Sequence, residues 1–195
     1  MNNIFLTSSL QTVARDLVKK IDKQALKFLF IVTASEVEEG DKWWLDADRD
    51  VLRNVGYKLE DYTVTGKTRA EVVSKLKETD GIIMAGGNTF YLLQELQKSE
   101  SIEPIKKFVE NGGIYIGSSA GSIVAGPDIY PVRYLDALEK APEIKGYRGI
   151  GLTDILVLPH WGSESFKERY MSERLEQNYN TDRKIVLLND YQYLA

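Results

Sequence analysis

Residues 117–122 place a serine in a tight turn of small residues, directly after a short apolar stretch. The sequence there is Gly-Ser-Ser-Ala-Gly-Ser, so Ser119 is the centre of a G-x-S-x-G pattern. Such a pattern can hold a serine on a strained strand-to-helix turn with its Oγ exposed. A serine hydroxyl needs a base within hydrogen-bond reach to act as a nucleophile at neutral pH. The pattern therefore indicates nucleophilic chemistry at Ser119.

The chain contains one histidine, His160, so the serine has one possible imidazole partner. His160 follows a predicted strand at 155–159, and Asp190 follows another at 184–188. A carboxylate bonded to Nδ1 would hold the imidazole tautomer and stabilise the imidazolium that forms during acyl transfer. Because ligands bind at the carboxyl ends of parallel strands, we expect Ser119, His160 and Asp190 to converge there. Their chain order differs from the Ser–Asp–His order of the α/β-hydrolases.

A second small-residue turn, Gly86-Gly87-Asn88, follows the predicted strand 81–85 and opens a predicted helix. The tetrahedral intermediate of acyl transfer needs backbone donors for its oxyanion. The Ala120 N–H, which follows the nucleophile, and the Gly87 N–H are the candidates for this oxyanion hole. Asn88 is a candidate for substrate binding.

Each of these features also has a structural interpretation. Gly and Ser are common in turns for steric reasons, a single histidine can be structural, and Asp190 can serve as an ordinary turn residue. We expect Trp43 and Trp44 to pack in the core or a lid rather than stack on a substrate. The coincidence of four such features at strand ends favours catalysis.

Short apolar runs alternate with stretches whose apolar residues recur at helical spacing. This alternation predicts an α/β fold with three layers, a doubly wound and mostly parallel sheet covered on both faces. The predicted strands are 4–7, 28–33, 57–64, 81–85, 114–118, 155–159 and 184–188. The predicted helices are 10–20, 42–54, 68–77, 89–98, 103–111, 120–125 and 164–180. Residues 35–44 and 127–151 break the alternation, and we expect the second of these to form a loop or a small hairpin.

The composition is that of an ordinary globular protein, with 43% hydrophobic and 28% charged residues over 195 positions. We expect one domain over residues 1–195. A net charge of −4 without a run of Lys or Arg argues against nucleic acid as a partner. The absence of cysteine excludes a disulfide framework and a thiolate metal site. No stretch is long and apolar enough for a membrane span or a secretory signal, so we expect a cytoplasmic location.

Three motifs together resemble the peptidase E family of serine peptidases, the α-aspartyl dipeptidases, of which cyanophycinase is a more distant relative. They are AGGNTF at 85–90, GSSAGS at 117–122 and PHW at 159–161. The resemblance covers nearly the whole chain and implies a fold like that of the class I glutamine amidotransferases, with serine replacing cysteine at the turn. It also implies hydrolysis of short peptides with no metal or organic cofactor, with Ser119 as nucleophile and His160 as base.

The resemblance leaves the identity of the carboxylate open. The family has a glutamate after the last core strand, where this chain has Asp190, whose side chain is one methylene shorter. The family also has a functionally important aspartate after the helix that follows the nucleophile, and Asp136 is the candidate for that place. We put Asp190 ahead of Asp136.

The sequence also leaves the substrate specificity open. Recognition of an N-terminal Asp side chain needs a fixed cation, ideally a bidentate arginine. Residues 161–169 are unlike the arginine-rich stretch of the aspartyl dipeptidases, so the candidate cations are Arg133, Arg148 and Arg169, with Arg133 preferred.

We therefore expect a serine peptidase that hydrolyses short peptides, with dipeptides carrying an N-terminal Asp as one substrate class. It would work as a monomer or a homodimer without a cofactor. The alternative is a catalytically inactive protein that binds a small molecule or peptide on the same scaffold, because the residues after His160 depart from the family pattern.

Overall fold

The computed structural model describes residues 3–21, 25–171 and 184–195 of the chain. These residues form eight strands and seven α-helices. The strands are β1 (Ile4–Thr7), β2 (Lys27–Ile31), β3 (Lys58–Tyr62), β4 (Gly81–Met84), β5 (Ile114–Ser118), β6 (Ile155–Leu158), β7 (Lys184–Leu187) and β8 (Tyr193–Leu194). The helices are α1 (Leu10–Ile21), α2 (Trp43–Asn54), α3 (Arg69–Leu76), α4 (Thr89–Lys98), α5 (Ile102–Glu110), α6 (Ala120–Val124) and α7 (Glu164–Met171).

Six of the strands form one sheet in the order β3-β2-β4-β5-β1-β8. All pairs in it are parallel except β1 with β8, which is antiparallel. The remaining strands, β6 and β7, form a separate parallel pair. Parallel neighbours end at the same edge, so the segments that follow β1, β4 and β5 lie together.

Both faces of the large sheet are covered, because its strands carry apolar side chains on each face. In β2, Phe28 and Phe30 pack with α1 and α2, whereas Leu29 and Ile31 pack with α3 to α6 and with β6 and β7. The alternation of side chains along a strand sends successive residues to opposite faces. The result is three layers, with the small sheet on the same side as α3 to α6.

The predicted fold class is confirmed, since the chain is an α/β protein with a mostly parallel sheet between helical layers. The seven predicted strands are found to within two residues at each end, and the largest differences are the predicted overruns at the ends of β2 and β3. Residues 172–180 of the last predicted helix lie outside the described residues. Two features differ: β6 and β7 pair apart from the large sheet, and the two-residue strand β8 was not predicted because so short a strand has no readable periodicity.

Residues 127–151 form no hairpin and contain two short 3₁₀ turns, Tyr130–Val132 and Leu138–Lys140. The ends of this loop are held to each other by backbone hydrogen bonds, such as the Gly149 N–H to the Pro127 carbonyl at 3.2 Å. Within the described residues, none of the helices has the length and apolar character that crossing a membrane requires.

The turn between β5 and α6 is packed so closely that it needs its two glycines. A Cβ on Gly117 would lie 2.7 Å from the backbone of Gly121, and a Cβ on Gly121 would lie 2.0 Å from the carbonyl oxygen of Met84. Real Cβ atoms do not approach backbone atoms so closely, and well-packed interiors do not yield easily. The glycines of the G-x-S-x-G pattern therefore allow α6 to begin directly against β4.

We predict that Gly121→Ala lowers the free energy of unfolding by roughly 3 kcal/mol, because the new methyl group collides with backbone rather than with a movable side chain. Gly66→Ala is the matched control, since Gly66 has a φ of 69° but nothing within 4 Å of an added Cβ. It carries only the left-handed strain of about 1 kcal/mol. Urea denaturation of both variants measures the difference, and equal losses would contradict the packing argument.

Candidate active site

Three side chains predicted from the sequence lie in one hydrogen-bonded row. The Ser119 hydroxyl is 2.9 Å from His160 Nε2, and His160 Nδ1 is 2.7 Å from Asp190 Oδ1. A carboxylate can only accept, so Nδ1 carries the proton and donates to Asp190. In the neutral imidazole this leaves Nε2 as the acceptor for the serine proton. The row thus has the polarity that activation of a serine requires.

Ser119 has a backbone conformation that non-glycine residues seldom adopt, with φ 49° and ψ −109°. Such conformations cost of order 1–3 kcal/mol and persist only where the surroundings enforce them. The end of β1 does so here, because the Thr7 carbonyl accepts from the Ser119 N–H at 3.1 Å and from the Ser122 hydroxyl at 2.7 Å. The Tyr115 hydroxyl also donates to the Gly121 carbonyl at 2.6 Å.

His160 is strained in the same way, with a φ of 61°. Its N–H donates to the Ser8 hydroxyl at 2.7 Å, and its carbonyl accepts from the Ser163 N–H at 3.1 Å. The Phe166 ring stacks on the imidazole with centroids 4.4 Å apart. This apolar cover leaves only 17% of the histidine side chain exposed.

Asp190 reaches His160 although it is shorter than the glutamate that the resemblance implies. It lies in the short connection between β7 and β8, and β8 pairs with β1. The Thr12 hydroxyl donates to the Asp190 carbonyl, and the Ser8 hydroxyl donates to Asp190 Oδ1 at 2.7 Å. Because the backbone is tied down close to the imidazole, an aspartate suffices.

Ser8 was missed in the sequence analysis. It directly follows β1 and is fully buried. The same strand-end rule that selects Ser119 and His160 selects Ser8 as well, but a lone serine in a Thr-Ser-Ser turn carries no chemical signature of its own.

Asp136, the rival carboxylate, lines the same cavity but makes no hydrogen bond to His160 in the described structure. One of its oxygens accepts from both the N–H (2.9 Å) and the hydroxyl (2.5 Å) of Thr89, the first residue of α4. Burial raises the pKa of the Asp136 carboxyl, and the Thr89 hydrogen bonds oppose that rise. The geometry favours Asp190 as the partner of the imidazole.

The two candidate oxyanion donors lie in the turns that follow β5 and β4. Ala120 begins α6, and the first intrahelical bonds start from the Ser122 and Ile123 N–H groups, so the Ala120 N–H precedes them. Gly87 lines the cavity with a φ of 127°, and a Cβ there would lie 2.2 Å from the Ala34 carbonyl oxygen. Glycine is therefore required for that close approach.

Two predicted substrate-binding residues lie elsewhere. Asn88 is buried, and its side chain accepts from the Tyr91 N–H at 2.9 Å to cap α4 and donates to the Ala137 carbonyl at 2.9 Å. Arg133 stacks on Tyr130 and Tyr134, and neither it nor the third candidate cation Arg148 lines the cavity beside Ser119. Asn88 thus has a structural position because it is a helix N-cap.

The cavity beside Ser119 has a volume of about 310 Å³, at the small end of ligand sites in proteins. Arg169 is the one Lys or Arg among the described residues that line it. The Arg169 guanidinium donates to the Leu135 carbonyl at 3.0 Å and lies 4.9 Å from the Phe166 ring centre. Glu38 also lines the cavity, and burial together with the charge of Asp136 raises its pKa.

The two tryptophans differ in their surroundings. Trp44 is partly buried and packs against the core, as expected, although it also lines the cavity. Trp43 is 61% exposed and lines the cavity, so the expectation of a packed side chain is wrong for it. It is the first residue of α2, whereas Leu45 two positions later is buried in the core.

A further carboxyl, that of Asp48, is buried behind the nucleophile turn. Its oxygens accept from the Gln11 N–H at 2.9 Å and from the Ser118 hydroxyl at 3.2 Å. Burial raises the pKa of Asp48 to about 7, against the opposing effect of these hydrogen bonds and of Arg49. Asp48 therefore connects α2 to the first turn of α1 and to the residue before Ser119.

Taken together, the described residues bring a serine hydroxyl, an imidazole and a carboxylate into hydrogen-bonded contact, an arrangement whose chemistry suits acyl transfer. Among residues 3–21, 25–171 and 184–195, no group of three or more His, Asp or Glu side chains is arranged to hold a metal ion.

Comparison with known proteins gives consistent results. A family model for peptidase family S51 matches residues 4–195. An uncharacterized peptidase of Listeria monocytogenes is 31% identical over 193 residues, which cover 98% of this chain and 93% of that protein. Peptidase E of Shewanella amazonensis is 28% identical over 144 residues, covering 74% of this chain and 57% of that protein. A crystal structure from Listeria monocytogenes, provisionally named peptidase E, superposes with a TM-score of 0.88 at 31% identity, covering 99% of this chain and 93% of that one.

The buried Asp48 carboxyl predicts a pH dependence of stability. Its pKa is about 7 in the folded protein and near 3.9 in an unfolded chain. The folded state thus favours the protonated form, so the contribution of Asp48 to stability is most favourable below about pH 4 and declines as the pH rises to 7. We predict that Asp48→Asn gains stability relative to the wild type between pH 4 and 8, by up to about 4 kcal/mol.

Chemical denaturation across this pH range measures the effect. Asp154→Asn is the matched control, because Asp154 is exposed and its pKa is lowered by Lys184. Asp154→Asn is expected to lower the free energy of unfolding slightly as the pH rises, whereas Asp48→Asn raises it relative to the wild type. Wild-type and Asp48→Asn curves that run parallel from pH 4 to 8 would contradict the prediction.

Proposed function

The chain belongs to peptidase family S51, and from this premise we propose that it is a serine-type peptidase that cleaves short peptides with Ser119, His160 and Asp190. One observation carries the proposal: the hydroxyl, the imidazole and the carboxylate form a continuous hydrogen-bonded row beside a cavity. The backbone strain at Ser119 and His160 lowers the stability of the fold, and strained residues of this kind cluster at functional sites.

The chemistry follows from the polarity of the row. Ser119 Oγ attacks the peptide carbonyl while His160 Nε2 takes its proton, and Asp190 stabilises the imidazolium that forms. The imidazolium then gives the proton to the departing amine, which leaves an acyl-enzyme. A water molecule, deprotonated by the same imidazole, hydrolyses the acyl-enzyme and restores Ser119.

The Ala120 and Gly87 N–H groups would stabilise the oxyanion of each tetrahedral intermediate. Ala120 follows the nucleophile directly, and Gly87 lies in the cavity wall beside it. Backbone donors need no reorganisation as the negative charge develops, and losing one such donor typically costs about 10²–10³ in turnover.

The small cavity and its charges bear on the substrate. A volume of about 310 Å³ suits a short peptide rather than a protein segment. Arg169 supplies a guanidinium in the cavity wall, and a carboxylate side chain is the group that a guanidinium binds best. We therefore include dipeptides with an N-terminal Asp among the substrates. Arg169, rather than Arg133, would bind the Asp side chain.

We predict that a fluorophosphonate labels Ser119 of the wild type. Ser119→Ala abolishes the labelling, because the attacking oxygen is removed, and His160→Ala slows it severely. Asp190→Ala slows it by about 10⁴-fold, a loss typical of the third member of such a row. Intact-protein mass spectrometry over time gives the rates, and peptide mapping locates the label.

Asp136→Asn is the matched control for the carboxylate, since Asp136 lines the cavity without bonding His160. Its labelling rate is expected to stay far closer to that of the wild type than the rate of Asp190→Ala does, because the hydrogen bond to His160 is kept. A folded wild type that is never labelled would favour the alternative, a binding protein on the same scaffold. If the labelling rate falls more in Asp136→Asn than in Asp190→Ala, Asp136 and not Asp190 is the carboxylate that assists His160.

We predict that the wild type cleaves Asp-Leu faster than Asn-Leu, and that Arg169→Met removes the preference. The two dipeptides have the same shape, so they differ mainly in the charge that Arg169 would meet. Losing a charge-assisted hydrogen bond is expected to lower kcat/KM about 10- to 100-fold for Asp-Leu and to leave kcat/KM for Asn-Leu unchanged. Arg133→Met, outside the cavity, is the control and keeps the preference. An unchanged Asp-Leu to Asn-Leu ratio in Arg169→Met would rule out this role.

A further inference from the structure

Ser8 lies between the large sheet and the two residues that activate the nucleophile. It directly follows β1, at the edge where β5 ends just before Ser119, and its side chain is fully buried. The Ser8 Oγ is 2.7 Å from Asp190 Oδ1 and 2.7 Å from the His160 backbone nitrogen. It thus bonds both His160 and Asp190, lines the same cavity as Ser119, and makes no hydrogen bond to Ser119 Oγ in the described structure.

The direction of these hydrogen bonds follows from the groups involved. The His160 N–H can only donate and the Asp190 carboxylate can only accept. The Ser8 oxygen therefore accepts from His160, and its single proton points to Asp190 Oδ1. Its 3.5 Å separation from His160 Nδ1 is long for a hydrogen bond, so the Nδ1 proton remains directed at Asp190.

This arrangement restrains the carboxylate and the imidazole relative to each other. Asp190 Oδ1 receives two donors, the Ser8 hydroxyl and His160 Nδ1–H, both at 2.7 Å. Two donors on one oxygen select one orientation of a side chain that is 33% exposed. The backbone bond to His160 meanwhile supports a residue with a φ of 61°. One hydroxyl thus orients both the ring and the carboxylate that aligns it.

We propose that Ser8 is a positioning residue of this site, one that holds Asp190 and His160 so that Nε2 faces the Ser119 hydroxyl. The inference rests on the proposed serine-peptidase function. Ser8 acts through Asp190 and takes no part in bond making or breaking. It also accounts for the use of the shorter aspartate, because a fixed hydroxyl beneath the carboxylate limits where that group can lie.

The test uses the rate of fluorophosphonate labelling, with the limiting rate kinact separated from the affinity constant KI. The proteins compared are the wild type, Ser8→Ala, Asp190→Ala and the double variant. Ser8→Ala is expected to lower kinact about 10- to 100-fold, the loss that corresponds to one hydrogen bond to a charged group. KI is expected to stay within about twofold, because Ser8 is fully buried and the substitution removes one hydroxyl without adding bulk to the cavity wall.

A double-mutant cycle separates positioning from a merely structural role. If Ser8 acts through Asp190, removing Ser8 in the Asp190→Ala background has no further effect on kinact. Ser101→Ala is the matched control: Ser101 is a fully buried serine at the start of α5, bonded to the Ser99 hydroxyl at 2.8 Å. It is expected to lower thermal stability without changing kinact.

Three results would overturn the inference. The first is a Ser8→Ala variant that is labelled as fast as the wild type. The second is a loss that multiplies with that of Asp190→Ala, and the third is a loss that Ser101→Ala reproduces in proportion to its fall in melting temperature. In each of these the wild type and Ser119→Ala still differ, so the proposed function stands. An unlabelled, folded wild type overturns both.

Discussion

The carboxyl end of β1 holds both halves of the candidate site through hydrogen bonds made by two consecutive residues. The Thr7 carbonyl accepts from the Ser119 N–H and the Ser122 hydroxyl, which fixes the turn that carries Ser119. The Ser8 hydroxyl bonds the His160 N–H and the Asp190 carboxylate. His160 follows β6 and Asp190 follows β7, and these two strands form a sheet of their own. The Ser8 hydrogen bonds therefore join the end of β1 in the large sheet to the ends of the small sheet.

Strain and close packing are concentrated at this place. Ser119 and His160 both have a positive φ, and the glycines on either side of Ser119 have no room for a Cβ. Residues in such conformations must be held by their surroundings, and here the surroundings are the ends of β1 and β4. Asp48 adds a buried carboxyl behind the same turn, where burial favours its protonated form. The site is therefore stabilised by the whole edge of the sheet and not by its own local geometry.

Several features could be predicted because they depend on local pattern. Alternating apolar runs and helical spacing indicated the layers, and the ends of predicted strands pointed to Ser119, His160 and Asp190. Asp136, Arg169 and Asn88 could be named but not placed. The sequence around Asn88 is compatible with substrate binding and with a helix N-cap. Only the hydrogen bond from the Tyr91 N–H identifies it as the cap. Arg169 enters the cavity because α7 packs beside His160, which is a long-range contact.

By itself, the sequence determined the chemistry that is available: one histidine, no cysteine, and a serine between glycines in a turn that other residues do not fit. It also determined the family, since three motifs recur in order along the chain. Only the tertiary structure decided which carboxylate faces the imidazole, which arginine lines the cavity, and that Ser8 lies under both partners of the nucleophile. Those choices depend on the pairing of β8 with β1, on the pairing of β6 with β7 and on the packing of α7. The resulting contacts join residues more than 150 positions apart, such as Ser8 and His160, a separation over which local sequence patterns carry no information.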